Sequence, residues 1–335
     1  MPRIACYCAI LGAYTAGNVM LKFLLKRALL SLITLAILSI FVFLGGQLLP
    51  GDVGRAVLGP LADARSVAAF NHQMGVDRPL FIQYWDWITH FIGGDLGRSF
   101  TFRAPVAPFI AEALVNSLKL AALAFVLVVP LGIVGGVFAA LRAGTLPDRS
   151  IVMIGQSLGI VPEFIASIVL ILIFGVWLRW LPMSADWPEG AGALTQIRYL
   201  ILPALPPVLI YFGYIARVAR VGTIEALNAD YTRTAVLKGL PWRTVLRRHV
   251  LRNALLPTIT ITASLIGYLA GGLVVVEALF HFRGMGGLIY SAAKAKDFPM
   301  LEAGVLTIGA IYALASLLAD LASSALNPRI RSGRQ

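Results

Sequence analysis

Few side chains in this sequence have the types and spacing that metal chemistry needs. Cys6 and Cys8 form a Cys-x-Cys pair, which can ligate a metal ion. No histidine, aspartate or glutamate lies near them, and the four histidines are scattered along the chain. We therefore predict no metal site, and without further cysteines no disulfide framework can form.

The sequence also lacks two motifs that would point to an enzyme. It contains no Gly-x-x-x-x-Gly-Lys-Ser/Thr, and not even a Gly-Lys pair, so it has no loop of the kind that holds nucleotide phosphates. It contains no His-Glu-x-x-His, the pattern of a zinc hydrolase. We therefore expect that the chain is not an enzyme and binds no cofactor itself.

Glu163 is the one acidic residue deep inside a long apolar run. An ionisable side chain in such a position is costly and usually faces a cavity or a partner. Two interpretations stay open. Glu163 could line a translocation path and meet a cationic group on a substrate, or it could be a structural residue that is protonated and hydrogen-bonded.

The composition indicates that these residues are held by helices in a membrane. Of the 335 residues, 59% are hydrophobic and only 13% are charged, whereas a soluble domain has about 25% charged residues. The net charge of +12 does not indicate nucleic-acid binding, because the basic residues lie in short stretches between apolar runs. Membrane orientation and contact with anionic lipid explain them better.

Six apolar runs are long enough to cross a bilayer, for which about 20 residues are needed. The sequence therefore predicts an all-α membrane protein with six transmembrane helices. The predicted spans are 28–49, 120–141, 151–178, 199–216, 253–276 and 303–325.

The basic residues predict the orientation of these spans. The termini and the segments grouped with them carry 17 of the 28 lysines and arginines but only three acidic residues. Since basic residues stay on the cytoplasmic side, both termini and the loop 217–252 are predicted to be cytoplasmic. The loop 50–113 is then predicted to lie on the opposite face.

The cytoplasmic loop 217–252 carries the most informative local pattern. Residues 232–238 can form a helix that ends at Gly239, because glycine tolerates the left-handed conformation that ends many helices. Pro241 suits the first position of a second helix, which is predicted to run to about Asn253 and to carry a stripe of arginines. Such a loop can dock on a soluble partner or lie on anionic headgroups, and the residues alone favour neither.

The loop resembles the coupling loop of permease subunits in ABC importers, in the dipeptide, oligopeptide and nickel family. The matching residues are Tyr231, Thr234, Ala235, Lys238, Gly239, Val245, His249, Asn253, Ala254 and Pro257, with Thr232 and Arg233 inside the same motif. Further ordered matches extend over nearly the whole chain from Met20: 48–52, 75–80, 94–100, Asn116-Ser117, 277–280, 284–286, Asp320 and 327–331. Val236-Leu237 departs from the pattern, since Arg-Ala often stands there.

The resemblance implies a fold and a set of partners. It implies the transmembrane domain of a type I-like importer in the bacterial inner membrane, with both termini inside and a cytoplasmic coupling helix. The implied partners are a second homologous permease, two cytoplasmic ATPase subunits or domains that bind ATP and magnesium, and an extracytoplasmic substrate-binding protein. The coupling residues would be those of the loop motif, and residues 20–335 would form one permease domain.

The cargo and the start of the chain stay less defined. The family carries peptides, nickel and some sugars; because no predicted span contains a histidine, peptides or peptide-like solutes are favoured over nickel or oligosaccharides. A secondary transporter driven by an ion gradient is the alternative outside the family. Residues 1–19 are interpreted as a possible upstream extension, because a second basic and then apolar start follows at Met20.

Overall fold

The computed structural model describes residues 25–46, 53–59, 61–74, 77–188, 190–271 and 273–326. These parts of the chain are helical, and the β structure in them is limited to a single bridge between Arg98 and Pro105. Cys6, Cys8, the possible extension 1–19 and the motif at 327–331 lie outside the described residues.

The described residues form thirteen helices, some of which continue into π-helical turns. They are α1 (Leu25–Gly46), α2 (Val53–Leu58), α3 (Ala64–Met74), α4 (Leu80–Ile92), α5 (Val106–Leu141), α6 (Leu146–Ile160), α7 (Glu163–Trp177), α8 (Ala193–Asn228), α9 (Asp230–Leu237), α10 (Trp242–Gly271), α11 (Val274–Leu279), α12 (Met285–Ala295) and α13 (Phe298–Leu326). The π-helical turns are Ile171–Trp177 at the end of α7 and Val245–Val250 within α10.

Five of these helices are long and apolar enough to cross a membrane, namely α1, α5, α8, α10 and α13. A sixth crossing exists only if α6 and α7 together count as one span. The prediction of an all-α membrane protein is thus confirmed. The number of spans is five or six by length and composition.

Several helices extend beyond the predicted spans, because polar residues do not end these helices. α5 begins at Val106, not at 120, and α8 covers Ala193–Asn228 instead of 199–216. The first turns of α5 are held by apolar packing, in which Val106, Ile110 and Ala113 contact Met285 and Met300 in a buried cluster. This packing outweighs the charges that lower the local hydropathy.

The remaining predicted spans differ from the observed helices at their ends. The predicted first span 28–49 corresponds to α1, with residues 47–49 outside the described part of the chain. The fifth, predicted as 253–276, is α10 followed by the separate short helix α11, and the sixth begins earlier, at Phe298. The predicted loop 50–113 contains α2, α3, α4 and the start of α5, so it is mostly helical where it is described.

The predicted third span is broken in the middle. α6 and α7 meet at an angle of 105° instead of forming one helix over 151–178. Val161 between them has extended backbone angles (φ −68°, ψ 125°), as expected for a residue that precedes a proline. Pro162 also has no N–H to continue the hydrogen-bond ladder.

Glycines allow the long helices to approach closely. Gly155 of α6 packs directly against Gly213 of α8, where an added Cβ on Gly155 would lie 2.7 Å from the Gly213 Cα. Gly132 and Gly136 of α5 contact α8 around Ile215 in the same way. Small residues four apart are typical of helix packing in lipid, and in this bundle they place α8 at the centre.

These contacts also fix the relative directions of the helices. α8 runs parallel to α5, since Gly132 and Gly136 meet successive positions of α8, and it runs antiparallel to α6 and α10. α13 is antiparallel to both α10 and α1. The first residue of α1 and the last residue of α13 therefore lie at the same end of the bundle as α9.

Candidate functional site

Helix α9 ends in the cap that the sequence predicts. Gly239 has φ +73°, and its N–H donates to the carbonyl of Val236 at 2.9 Å. The N–H of Leu240 donates to the carbonyl of Ala235 at 3.4 Å. This pair of bonds is a Schellman motif, so the chain reverses sharply and enters α10 within three residues.

The start of α10 differs slightly from the prediction. Pro241 is the residue just before the helix, with ψ 140°, and Trp242 is the first helical residue. The helix does not stop near Asn253 but continues to Gly271. Because α8 also extends to Asn228, the non-helical part of the predicted loop 217–252 shrinks to short connections on either side of α9.

One face of α9 is buried against the two long helices. The Thr232 hydroxyl donates to the carbonyl of Ala226 at 2.7 Å, which satisfies one of the last carbonyls of α8. Ala235 packs in a cluster with Ala226, Val245 and Ala254. Helix α9 is therefore fastened to both α8 and α10.

The other face of α9 is exposed and mixed in character. The exposed motif residues are Tyr231, Arg233, Thr234, Lys238 and Gly239. Apolar side chains accompany them, with Leu237 80% exposed and Trp242 52% exposed. Exposed apolar side chains ringed by polar ones are typical of a surface that binds a partner.

The last three predicted coupling residues lie on α10 and not on α9. The Asn253 side-chain amide donates to the carbonyl of His249 at 2.9 Å, one turn earlier in the same helix. Pro257 lies inside the helix. Next to them, Ala254 meets Gly222 of α8 so closely that its carbonyl occupies the space a Gly222 side chain would need. Ala254 therefore lies at the junction of α8 and α10, whereas Asn253 and Pro257 are exposed.

An ion pair near this end of the bundle was missed by the sequence analysis. Asp148 is buried at the start of α6, and Arg220 of α8 donates to both of its carboxylate oxygens at 2.5 and 2.8 Å. The Gly144 N–H adds a third bond at 2.8 Å. The pair ties the connection between α5 and α6 to α8, about two turns before the end of α8. The sequence feature that could have suggested this pair is that Asp148 and Arg220 each stand next to an apolar run.

Glu163 begins α7, directly after the bend. Its side chain is half-buried, and its Oε1 atom is buried without a hydrogen-bond partner among the described residues. Tyr211 of α8 lies within electrostatic reach of the carboxyl, and its ring packs edge-on against Tyr268 of α10 at 5.1 Å. Among the described residues, the protein thus provides no hydrogen-bond partner for Glu163 Oε1.

A second buried carboxylate holds the opposite end of the bundle together. Glu277 of α11 accepts hydrogen bonds from the Ser117 hydroxyl of α5 and from the Gly286 N–H of α12, both at 2.6 Å. Burial raises the pKa of the Glu277 carboxyl, against the lowering effect of these hydrogen bonds. This network fixes α11 and α12 on the first turns of α5.

Residues 155–159 spell Gly-x-Ser-x-Gly, the pattern of a hydrolase nucleophile. That pattern works in a sharp turn between a strand and a helix. Here all five residues lie inside α6, Gly155 serves the contact with α8, and Ser157 faces outward. The motif is therefore a packing feature and provides no nucleophile elbow.

Comparison with known proteins agrees with this architecture. Residues 132–332 match the family model of the binding-protein-dependent transport system inner membrane component, and residues 20–121 match the model of the N-terminal part of such membrane components. The glutathione transport system permease protein GsiC of Escherichia coli O6:H1 is 36% identical over 93% of this chain and 99% of its own length.

A second relative comes from another bacterium. The probable peptide ABC transporter permease protein y4tP of Sinorhizobium fredii is 33% identical over 92% of this chain and 99% of its own length. Together with the apolar helices, these matches show a multi-pass protein of the bacterial inner membrane and a transport permease, not an enzyme. The chain belongs to the family of inner membrane components of binding-protein-dependent transport systems, as an ABC importer permease.

Proposed function

We propose that this permease imports peptides or peptide-like solutes and that α9 is the segment through which ATPase subunits drive it. The main support for this proposal is the position of α9. One face of α9 packs against two long helices, and the other face is exposed. A peptide cargo is supported by the two relatives, which are named for glutathione and for peptides.

In this proposal the chain crosses the membrane six times, with α6 and α7 as one bent span. Both ends of the chain and α9 face the cytoplasm. The support comes from the excess of lysine and arginine in the segments at that end. The directions of the packed helices agree, since the start of α1 and the end of α13 lie at the same end as α9.

The proposed assembly contains four kinds of partner. A second homologous permease completes the path, two ATPase subunits or domains bind ATP and magnesium beneath α9, and a binding protein delivers the solute from outside. Lipid surrounds the rest. The family description supports the need for a binding protein, and the absence of a Gly-Lys phosphate loop from the sequence supports separate ATPases.

Movement of α9 would be transmitted by packing. Thr232 and Ala235 join α9 to α8 and α10, and Gly222 and Ala254 bring those two helices into close contact. An ATPase that binds α9 differently in its two states would therefore shift α8 and α10 together, since a ligand moves an equilibrium only through differential binding. This would switch access to the path from one face of the membrane to the other.

Cysteine cross-linking tests the coupling proposal. Leu237→Cys on α9 is expected to form a cross-link with the ATPase in membranes of cells that make the whole transporter, in a chain with Cys6 and Cys8 replaced by serine. Leu194→Cys is the matched control, because this residue is equally exposed (84% against 80%) but lies at the other end of α8. The yield should be high for Leu237→Cys and near background for Leu194→Cys.

The same two variants test the orientation. A membrane-impermeant thiol reagent added to intact spheroplasts should label Leu194→Cys and leave Leu237→Cys unlabelled until the membrane is opened. The reverse labelling, or a cross-link to the ATPase from Leu194→Cys alone, would refute the proposed orientation and the role of α9.

We also propose that Glu163 faces the translocation path. Its unpartnered Oε1, at a break between two membrane helices, is suited to a cationic group on a passing solute. Glu163→Gln is expected to slow uptake of peptides with a free amino group severalfold. N-acetylated peptides, which lack that charge, should be affected little. If the variant took up both peptides at the same rates as the parent, Glu163 would instead have a structural role.

A further inference from the structure

A pocket of about 510 Å³ opens at the end of the bundle opposite α9. Three segments form it: the first turns of α5, the connection between α7 and α8, and the turn after α11. Its volume lies in the range of sites for small ligands, about 300 to 1,000 Å³. None of the coupling residues takes part in it.

The walls of the pocket are held in place by hydrogen bonds between these segments. The Asn116 side chain donates to the carbonyl of Arg283 at 3.0 Å, and the Ala185 N–H donates to the carbonyl of Phe280 at 2.8 Å. The rings of Trp187 and Phe282 pack at 5.8 Å and form an apolar wall. These contacts hold the segments that line the cavity together.

Two opposite charges face this pocket without neutralising each other. Glu112 and Lys119 lie seven residues apart on α5, hence on one face of the helix and about 10 Å apart along it. Within the described residues, Glu112 has no hydrogen-bond or ion-pair partner. Lys119 contacts only neutral groups, namely the side-chain oxygen of Gln196 at 3.2 Å and the ring of Trp187 at 5.6 Å.

The other two charges at the rim already pair with each other. Arg283 and Asp186 form an ion pair at 2.9 Å, with both side chains largely exposed. They add no net charge to the pocket. The charges left to bind a ligand are therefore those of Glu112 and Lys119, and the rings of Trp187 and Phe282 form the apolar wall.

We propose that this pocket binds a short zwitterionic peptide, with its ammonium group at Glu112 and its carboxylate at Lys119. An extended chain covers about 3.3 to 3.6 Å per residue, so about three residues match the spacing of the two charges. Trp187 and Phe282 would contact the central side chain. The inference rests on the proposed peptide cargo and orientation, and it gives this permease its own contact with the cargo at the outer face.

Binding to the assembled transporter tests the proposal. The complex would be placed in lipid nanodiscs without its binding protein and titrated with Ala-Phe-Ala, N-acetyl-Ala-Phe-Ala and Ala-Phe-Ala-amide. The parent complex is expected to bind the free tripeptide at least tenfold more tightly than either blocked form. Glu112→Gln should lose the preference over the acetylated form alone, and Lys119→Gln the preference over the amide alone.

Lys294→Gln is the matched control, since Lys294 is exposed on α12 and does not line the pocket. It should bind all three peptides as the parent does. Equal binding of the free and blocked peptides by the parent complex, or a loss of both preferences in each variant, would overturn the proposed site. ATPase activity of the same complexes separates the outcomes: a transporter that hydrolyses ATP but shows no end-group preference refutes the pocket and leaves the permease function intact.

Discussion

Gly239→Val is expected to lower uptake about tenfold or more while the protein still inserts and is found in the membrane in normal amount. Gly239 has φ +73° at the end of α9, a conformation that costs an L-residue about 1 to 2 kcal/mol and a β-branched residue more. Apart from the two adjacent residues, nothing lies within 4 Å of the position that an added Cβ would take. The effect should therefore come from the backbone of the cap, not from a clash.

Gly239→Asn is the control for this explanation. Asparagine adds a side chain of similar size but tolerates the left-handed conformation, so uptake should stay within about twofold of the parent. The measurement is ATP-dependent uptake into vesicles, normalised to the amount of assembled complex. Equal loss in both variants would mean that the side chain blocks a partner surface, and normal uptake in Gly239→Val would show that the cap geometry is dispensable.

Arg220→Ala is expected to cause the largest loss of stability among single changes at this end of the bundle. Asp148 is 3% exposed at its side chain and Arg220 26%, so removing the arginine leaves a buried carboxylate unpaired. Breaking a buried pair from one side costs about 3 to 5 kcal/mol. The change should appear as a lower melting temperature of the purified complex and a lower yield from the membrane.

Two further variants distinguish the effect of losing the ion pair from the effect of losing a positive charge in general. Arg149→Ala removes a neighbouring exposed arginine and should leave the melting temperature almost unchanged. The double variant Asp148→Asn with Arg220→Gln removes the unpaired charge and should recover much of the loss. A double variant as unstable as Arg220→Ala would indicate that the Arg220 side chain stabilises the bundle by packing and not through Asp148.

The sequence predicts local features of this protein well. The end of α9 at Gly239 depends on one residue that tolerates positive φ, and the signal is contained in a few adjacent positions. The apolar runs likewise indicate membrane helices, because each run alone is long enough to cross a bilayer. These features can be predicted without knowing which residues pack against them.

Features that depend on distant parts of the chain could not be predicted. The first turns of α5 contain Glu112 and Lys119, which lower the hydropathy, and they are helical because Met285 and Met300 pack against them. Pro162 indicates a break, but the 105° angle depends on how α6 and α7 pack on α8. The ion pair of Asp148 and Arg220 joins residues 72 positions apart, with no pattern in sequence to connect them.

The bend between α6 and α7 has a consequence for how the protein is made. α6 is held by the contact of Gly155 with Gly213 and by the bond of Asp148 with Arg220, and both partners belong to α8. The ribosome synthesises α8 later, so a nascent chain that ends before Ala193 has the break at Pro162 but lacks both of these contacts. The final packing of α6 therefore depends on a helix that is synthesised after it, so α6 and α7 cannot complete their native contacts until α8 has been made.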